Sequence, residues 1–353
     1  MMKKILFICG SKNQTTQMHQ IASYLMYEFE CYFTPYYATG HVNLMRRLGL
    51  TEMTIMAKRF VDQCFQYFEE NGLLSDYCGV QHVYDLVVTC ADLVIPKNIL
   101  DKKIILVQEG MTDPENWVYR LVKLHLMPRW SASTSAMGLS NAYEKFCVAS
   151  EGYKDLFIRK GVKPEKLVVT GIPNFDHCQK YLNNNFPYSH FVLVCTSDSR
   201  ETVKIENRKK IILDAVLKAN GRLLIFKLHP NENTARSTAE INRYAPGSLV
   251  YSSGSAEEMI ANCDVLITQF SSTVYVGLAL GKEVYSNFPV EELKRLTPLQ
   301  NNSAAKNIAE VCREVIEQNR TKIFSFRPKA RVFQKFFQNK YKDKLLQLFP
   351  QAS

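Results

Sequence analysis

The sequence predicts an α/β protein of two domains, each a doubly wound parallel sheet, facing one another across a cleft. Three observations predict it. Short apolar runs alternate with helix-period patterns along most of the chain, as buried parallel strands joined by helices require. A polar, turn-rich stretch, Tyr181-Leu-Asn-Asn-Asn-Phe-Pro187, divides those runs into two sets. The length of 353 residues, 46% hydrophobic and 22% charged, suits two globular domains of roughly 150–190 residues, each with an ordinary core.

The first set of strands is expected at Ile5–Cys9, Cys31–Phe33, Leu86–Thr89, Ile104–Gln108, Phe146–Ala149 and Leu167–Thr170. Helix-period segments between them run over Gln17–Phe29, Thr54–Glu70 and Trp117–Leu126. The second set is Phe191–Cys195, Leu223–Lys227, Leu249–Tyr251, Val265–Thr268 and Val284–Tyr285, with helices at Arg208–Lys218, Ser272–Leu280 and Ala304–Gln318. This gives a Rossmann-like domain over 1–175, a linker over 176–189, a second Rossmann-like domain over 190–320 and a basic aromatic helical segment over 321–353. Ligands of such sheets bind beyond the carboxyl ends of the strands, so the loops that follow each strand are where function is sought.

Composition narrows the class. The ten cysteines include no C-x-x-C. Cys9, Cys90, Cys147 and Cys195 lie in apolar runs, where cysteine behaves as a small hydrophobe. This pattern points to a reducing compartment rather than a disulfide framework or a zinc site. The opening Met-Met-Lys-Lys-Ile-Leu-Phe-Ile-Cys-Gly reads as a first strand rather than a signal peptide. No stretch reaches the ~18–20 apolar residues of a membrane-spanning helix. A cytoplasmic protein is expected, soluble or held at the inner face of the membrane. The net charge is +10, and from Arg320 to Lys344 nine Lys or Arg accompany one acid, Asp343, among six aromatic residues. Residues 320–344 suit an anionic partner such as a membrane surface; the alternative is a solvated closing helix with an apolar stripe.

Four loops carry candidate chemistry. In Leu223-Leu-Ile-Phe-Lys-Leu-His-Pro-Asn-Glu232 a strand runs out into Lys227, His229 and Glu232, and Pro230 stops it just after the histidine. His229 and Lys227 can each neutralise a phosphate there; alternatively His229 only ties down its loop. In Asp264 through Gly277 a strand ending at Thr268-Gln269 turns into a helix that places Ser271, Ser272 and Thr273 at its N-terminus, an anion site or an ordinary cap. Phe191 through Glu201 opens into Thr196 and Arg200, both able to meet a phosphate. In the first domain Gln108-Glu109-Gly-Met-Thr-Asp113 follows a strand, so Glu109 or Asp113 is a candidate general base. The Gly10-Ser11 loop faces the same cleft but matches neither the dinucleotide nor the P-loop fingerprint. Ser131-Ala-Ser-Thr-Ser-Ala-Met-Gly138 reads as a flexible acceptor-side loop or a connector.

Three stretches resemble the GT-B superfamily of glycosyltransferases and its relatives. Val168-Val-Thr-Gly-Ile-Pro-Asn-Phe-Asp176 is similar to the V-T-G-x-P-x-x-D segment of UDP-N-acetylglucosamine 2-epimerases. Phe226-Lys-Leu-His-Pro230 resembles the K-x-H-P element of capsule and teichoic-acid polymer transferases. Asp264 through Lys282 resembles a D-x-x-I-T-x-x-S-S…G-K segment of both groups. The resemblance implies a GT-B fold, contacts from His229 and Ser271-Ser272 to donor phosphates, no bound metal and no other cofactor. Gln269-Phe270 replaces the Asp-Tyr of the teichoic-type segment, and the epimerase H-x-E-x-G-x-R stretch is only partly echoed by Gln108-Glu109-Gly110. The expectation is a glycosyltransferase moving a sugar from a nucleotide-sugar donor to a surface-polysaccharide or glycolipid acceptor. Lys227, Arg200, Ser271, Ser272 and Thr273 would serve the donor phosphates, and Thr196, Glu232, Thr268 and Gln269 the rest of the nucleotide sugar. His229 and either Glu109 or Asp113 would be catalytic. The alternatives are a sugar-nucleotide 2-epimerase or a CDP-glycerol-type polymer transferase and, third, a non-enzymatic nucleic-acid or membrane-surface binder. The chain shows no nucleic-acid-binding signature.

Overall fold

Two parallel sheets carry the chain. The computed structural model describes residues 2–40, 42–43, 56–197 and 206–318. The first sheet has six strands: β1 (Lys4–Cys9), β2 (Glu30–Pro35), β3 (Leu86–Thr89), β4 (Lys103–Val107), β5 (Lys145–Val148) and β6 (Leu167–Val169). They lie in the order β2-β1-β3-β4-β5-β6. The second has β7 (Val192–Cys195), β8 (Leu224–Lys227), β9 (Leu249–Tyr251), β10 (Val265–Ile267) and β11 (Glu283–Tyr285), in the order β11-β10-β7-β8-β9. Every pairing is parallel. The chain reverses its direction of travel at β1/β3 in the first sheet and at β7/β10 in the second. Those are the switch points where open α/β sheets leave a crevice.

All eleven expected strands are present, with ends shifted by at most a few residues. Apart from the edge strands β6, β9 and β11, their interiors are buried on both faces, which is why they read as unbroken apolar runs. On β1, Leu6 and Ile8 belong to one core and Ile5, Phe7 and Cys9 to another. The first of these cores continues through Tyr153 and Ile172 to Phe191, Leu266 and Tyr275, so the two sheets share one apolar interior.

The helices depart further from expectation. The first, α1, spans Lys12–Ser23, not Gln17–Phe29. Ser11 starts it directly after β1: its hydroxyl accepts the Gln14 N–H at 3.3 Å. Gln14, Thr15 and Gln17 are buried polar residues, so no apolar period marks the first turn. Lys58–Glu70 (α2) falls inside the expected Thr54–Glu70, whose first two residues lie outside the described residues. Trp117–Lys123 (α3) stands as expected, whereas Glu151–Lys160 (α4) was not foreseen. In the second half α5 (Arg208–Ala219), α6 (Thr234–Tyr244), α7 (Ala256–Asn262), α8 (Thr273–Ala279) and α9 (Val290–Leu296) follow the strands.

The last helix, α10 (Ala304–Glu317), corrects the expected domain boundary at residue 320. It returns to the first domain: Ile308, Ala309, Cys312 and Val315 pack with Ile5, Phe7, Met18 and Val107. Asp176 anchors that return. Its carboxylate accepts the Asn302 N–H at 2.7 Å and the Ala304 N–H at 2.8 Å, at the start of α10. Gln300 ties the same segment down, donating to Phe175 O at 2.6 Å and accepting from Cys178 N–H at 2.9 Å. Gly171 stands at φ +84°, a left-handed conformation that favours glycine, and a Cβ there would sit tightly, 3.0 Å from that of Ala304. At the far end Lys103 Nζ donates to Val315 O at 2.7 Å and to Ile316 O at 3.2 Å, closing the helix C-terminus. The terminal segment 321–353 lies outside the described residues.

The Asp176 cap generates a prediction. Asp176→Ala leaves two N–H groups at the entry of α10 without their carboxylate, at a cost of about 1–3 kcal/mol. The urea midpoint should fall accordingly, and an unchanged midpoint would show that packing alone holds the returning helix.

Candidate active site

The carboxyl edge of the first sheet is organised around Gln108, which is fully buried. Its amide donates to Gly110 O at 2.8 Å and accepts the Ala149 N–H at 2.9 Å. Its backbone oxygen accepts from Gln17 Nε2 at 3.0 Å. These bonds fix the turn after β4, and on that turn Glu109 projects inward. One carboxylate oxygen of Glu109 accepts the Ser11 hydroxyl at 2.8 Å and the other accepts Gln14 Nε2 at 2.6 Å. Both donors are neutral, and among the described residues no Lys or Arg forms an ion pair with it. Loss of water therefore dominates, and it raises the carboxyl pKa above the usual glutamate value, the two hydrogen bonds opposing in part.

Glu109 lies at a cavity of about 540 Å³, which is the β1/β3 crevice. Asn13 and Gln14 of α1 line it, with Cys90 and Ala91 after β3 and Glu109 to Thr112 after β4. One wall is Ser133, Thr134 and Met137. The stretch read as a flexible loop or a connector is a packed 3-10 segment over Arg129–Ala136, with Ser135 and Ala136 fully buried. Ser133 stands at φ 50°, ψ −149°, a conformation that costs a non-glycine residue of order 1–3 kcal/mol. Gly10 and Ser11 lie at the rim of this arrangement, Ser11 through its bond to Glu109.

Asp113 is held elsewhere. Its N–H donates to Thr134 Oγ1 at 2.8 Å, and the Thr134 hydroxyl donates back to its carboxylate at 2.9 Å. It lines a smaller cavity of about 230 Å³ with Lys160, Tyr153 and Phe288. The two candidate bases thus face different spaces. Burial pushes the Lys160 ammonium down to about 8, and it donates to Ser135 O at 2.7 Å behind the cavity wall.

The second sheet presents three loops at one edge. Thr196 Oγ1 accepts the His229 N–H at 3.1 Å and donates to Glu232. Glu232 also accepts the His229 N–H at 3.0 Å and the Arg208 guanidinium at 2.5 Å. Arg208 in turn bonds Glu206 at 2.5 Å, and all three side chains are almost fully buried. This ion triad holds the 196 and 229 loops together, so Glu232 is occupied in building the site. Asn231 N–H donates to His229 Nδ1 at 3.2 Å, which leaves the ring proton on Nε2 in the neutral form. Across the β7/β10 crevice, Ser197 Oγ donates to Gln269 Oε1 at 2.8 Å. Thr268 Oγ1 is buried without a hydrogen-bond partner among the described residues. Lys227 is buried and donates to Leu228 O at 2.9 Å, and burial lowers its pKa.

Ser271, Ser272 and Thr273 divide. The Ser271 and Thr273 hydroxyls lie 2.9 Å apart, ahead of α8. Ser272 turns to the other domain and its hydroxyl accepts the Met111 N–H at 2.9 Å. A Cβ on Gly110 would meet that hydroxyl at 2.5 Å, so a side chain there would push Ser272 from its bond. Ser272 thereby also borders the Glu109 cavity. Beside it Tyr153 and Tyr275 join their hydroxyls at 2.6 Å across the junction; burial pushes the Tyr153 phenol up to about 12, the bond to Tyr275 opposing in part. Arg200 lies outside the described residues. Gln14, Thr134, Lys160 and Tyr153 were missed by sequence reading. Only Gln14, three residues after the capping Ser11, left a readable signal.

Because the folded pKa of Glu109 is raised, the carboxyl is protonated in folded and unfolded chains alike below pH 4.5, the ordinary value. As pH rises through that value the unfolded chain releases its proton first, and folding loses stability until the folded pKa is passed. Wild type should therefore lose thermal stability relative to Glu109→Gln as the pH rises above 4.5, until the raised folded pKa is passed. A difference that does not change with pH would contradict the assigned environment.

No protein-family model matches the chain, and no curated protein matches it. Solved structures do. A UDP-GlcNAc 2-epimerase from Neisseria meningitidis, bound to UDP-GlcNAc, superposes with a TM-score of 0.54 at 12% identity, over 88% of this chain and 100% of that one. The UDP-GlcNAc 2-epimerase of Methanocaldococcus jannaschii, in complex with UDP-GlcNAc and UDP, gives 0.52 at 13% identity, over 90% and 94%. The wall teichoic acid polymerase TagF gives 0.48 at 14%, over 89% of each chain. With its two parallel sheets and its closing helix returned to the first of them, the chain has the GT-B fold.

Proposed function

We propose that this protein is a glycosyltransferase that holds a nucleotide-sugar donor on the second sheet and an acceptor in the cavity of the first. The observation that carries this reading is Glu109: a carboxylate with neutral partners and a raised pKa at the floor of a cavity of about 540 Å³. That cavity is built by the first domain except for Ser272, so it offers an acceptor its own compartment. The epimerases with the same fold support a nucleotide-sugar ligand for the second sheet.

In the proposed reaction the acceptor hydroxyl gives its proton to Glu109 while its oxygen bonds to the anomeric carbon. The bond from that carbon to the phosphate oxygen breaks, and the nucleoside diphosphate leaves with the electron pair. His229 Nε2–H, with the hydroxyls of Ser271 and Thr273 and the amide of Gln269, meets the negative charge on the leaving phosphate. Thr196, Thr268 and Lys227 line or support the same edge, while Glu232 orients His229 through its backbone. Such a single displacement inverts the anomeric centre. Glu109 is the base in this scheme because it faces the larger cavity and Asp113 does not.

The test is a panel of nucleotide sugars with candidate acceptors. Glu109→Gln should lower kcat by about 10²–10⁴-fold with donor KM little changed, whereas His229→Ala should act on donor binding as well as rate. The acidic limb of the wild-type kcat/KM profile should lie above pH 4.5, because Glu109 must ionise. Conversion or hydrolysis of the donor without any acceptor would favour the epimerase reading instead. Full activity in Glu109→Gln would remove the assigned base.

A further inference from the structure

The helix α3 and the turn after it leave large apolar side chains in water. Trp117 is 69% exposed, Leu124 67%, Leu126 57% and Trp130 46%. Exposure here follows from construction. Asn116 starts the helix, its side chain accepting the Tyr119 N–H at 3.0 Å. Tyr119 and Val122 then face inward onto Ala132 and Ala136. Trp117 and Leu124, seven residues apart, fall on the opposite side. The helix closes by a left-handed residue, His125 at φ 58°, with Leu126 N–H donating to Leu121 O at 3.0 Å and His125 N–H to Val122 O at 2.9 Å. That closure brings Leu126 back beside the helix end and leads the chain on to Trp130.

Charge accompanies the apolar side chains. Between Asn116 and Trp130 there are three cations, Arg120, Lys123 and Arg129, and no Asp or Glu. Arg120 and Lys123 are exposed on α3 itself. Arg129 is half-buried and donates to Asp92 O, and one exposed acid, Glu115, stands just before the helix. Tryptophan and leucine beside a net excess of cations is the composition of a surface that inserts at a headgroup boundary, where apolar rings enter and cations meet phosphates. Trp130 also lines the Glu109 cavity, so the patch runs up to the mouth of that cavity.

We propose that residues 116–130 dock on an anionic lipid bilayer, with the mouth of the first-domain cavity turned toward the membrane. The docking stands on this surface alone. Joined to the glycosyl transfer proposed above, on which this second step rests, it makes the acceptor a lipid-carried one.

The protein offers its own reporter. Its sequence has two tryptophans, Trp117 and Trp130, both in the patch. The full chain is mixed with vesicles of phosphatidylcholine, with and without phosphatidylglycerol, and with brominated phosphatidylcholine as quencher. The expected result is co-sedimentation with the anionic vesicles, a blue shift and quenching of tryptophan emission, and loss of both signals on adding salt. The double variant Leu124→Ser/Leu126→Ser should weaken vesicle binding by about tenfold or more, as should Arg120→Gln/Lys123→Gln, with thermal stability unchanged because all four side chains are exposed. Co-sedimentation without quenching would overturn the proposal by placing the contact elsewhere, such as residues 320–344, which contain no tryptophan. Absence of binding to any vesicle would overturn it in favour of a protein partner or bare solvent. Vesicle binding needs no catalysis, so an inactive enzyme that still docks would fail the reaction reading alone.

Discussion

The amide of Gln108 is the constraint on which the rest of the site depends. It sits where β4 ends, fully buried, with its donor and acceptor both used inside the protein. Such a group is costly to leave unpaired, so its two bonds hold the turn in one shape. Three consequences follow from that shape. Glu109, half-buried, has its two carboxylate oxygens bonded to Ser11 and Gln14. The backbone of Gly110 comes against Ser272, where a Cβ would displace the serine hydroxyl. Met111 offers its N–H to the same hydroxyl. The placement of Glu109, one lining of the cavity and the junction between the domains are therefore set by one turn.

The two halves position their polar groups by different means. In the first domain Glu109 is held by neutral donors, so burial is uncompensated by charge and its pKa rises. In the second, Glu206, Arg208 and Glu232 form a buried ion triad beneath the His229 loop. A buried ion pair of this kind adds little net stability but fixes geometry, since breaking one partner strands the other. In the proposed transfer the first arrangement would tune the base and the second would place a hydrogen-bond donor. A transferase needs both, at the acceptor and at the leaving group.

What the sequence revealed follows from which physical signals are local. The strands were legible because burial on both faces leaves continuous apolar runs such as Leu86–Thr89 and Leu224–Lys227. The start of α1 was hidden because Gln14, Thr15 and Gln17 are polar and yet buried, serving Glu109, Cys64 and Gln108. The amphipathic pattern of Ala304–Glu317 showed that one face is covered, but periodicity cannot say which sheet covers it. Glu109 and Asp113 were both candidates by position. The distinction came from Ser11, Gln14 and Thr134, which are local to neither. Ser272 read as a helix cap and phosphate ligand, whereas its hydroxyl serves a backbone N–H 161 positions away.

The central claim is that Glu109 and the His229 edge belong to one reaction centre spanning the two sheets. A structure of the protein with a bound nucleotide sugar tests it most directly. The claim predicts the diphosphate against His229 and Gln269, with the anomeric carbon turned toward the cavity that Glu109 floors. A nucleotide seated away from the His229 loop, or a sugar facing away from Glu109, would contradict it.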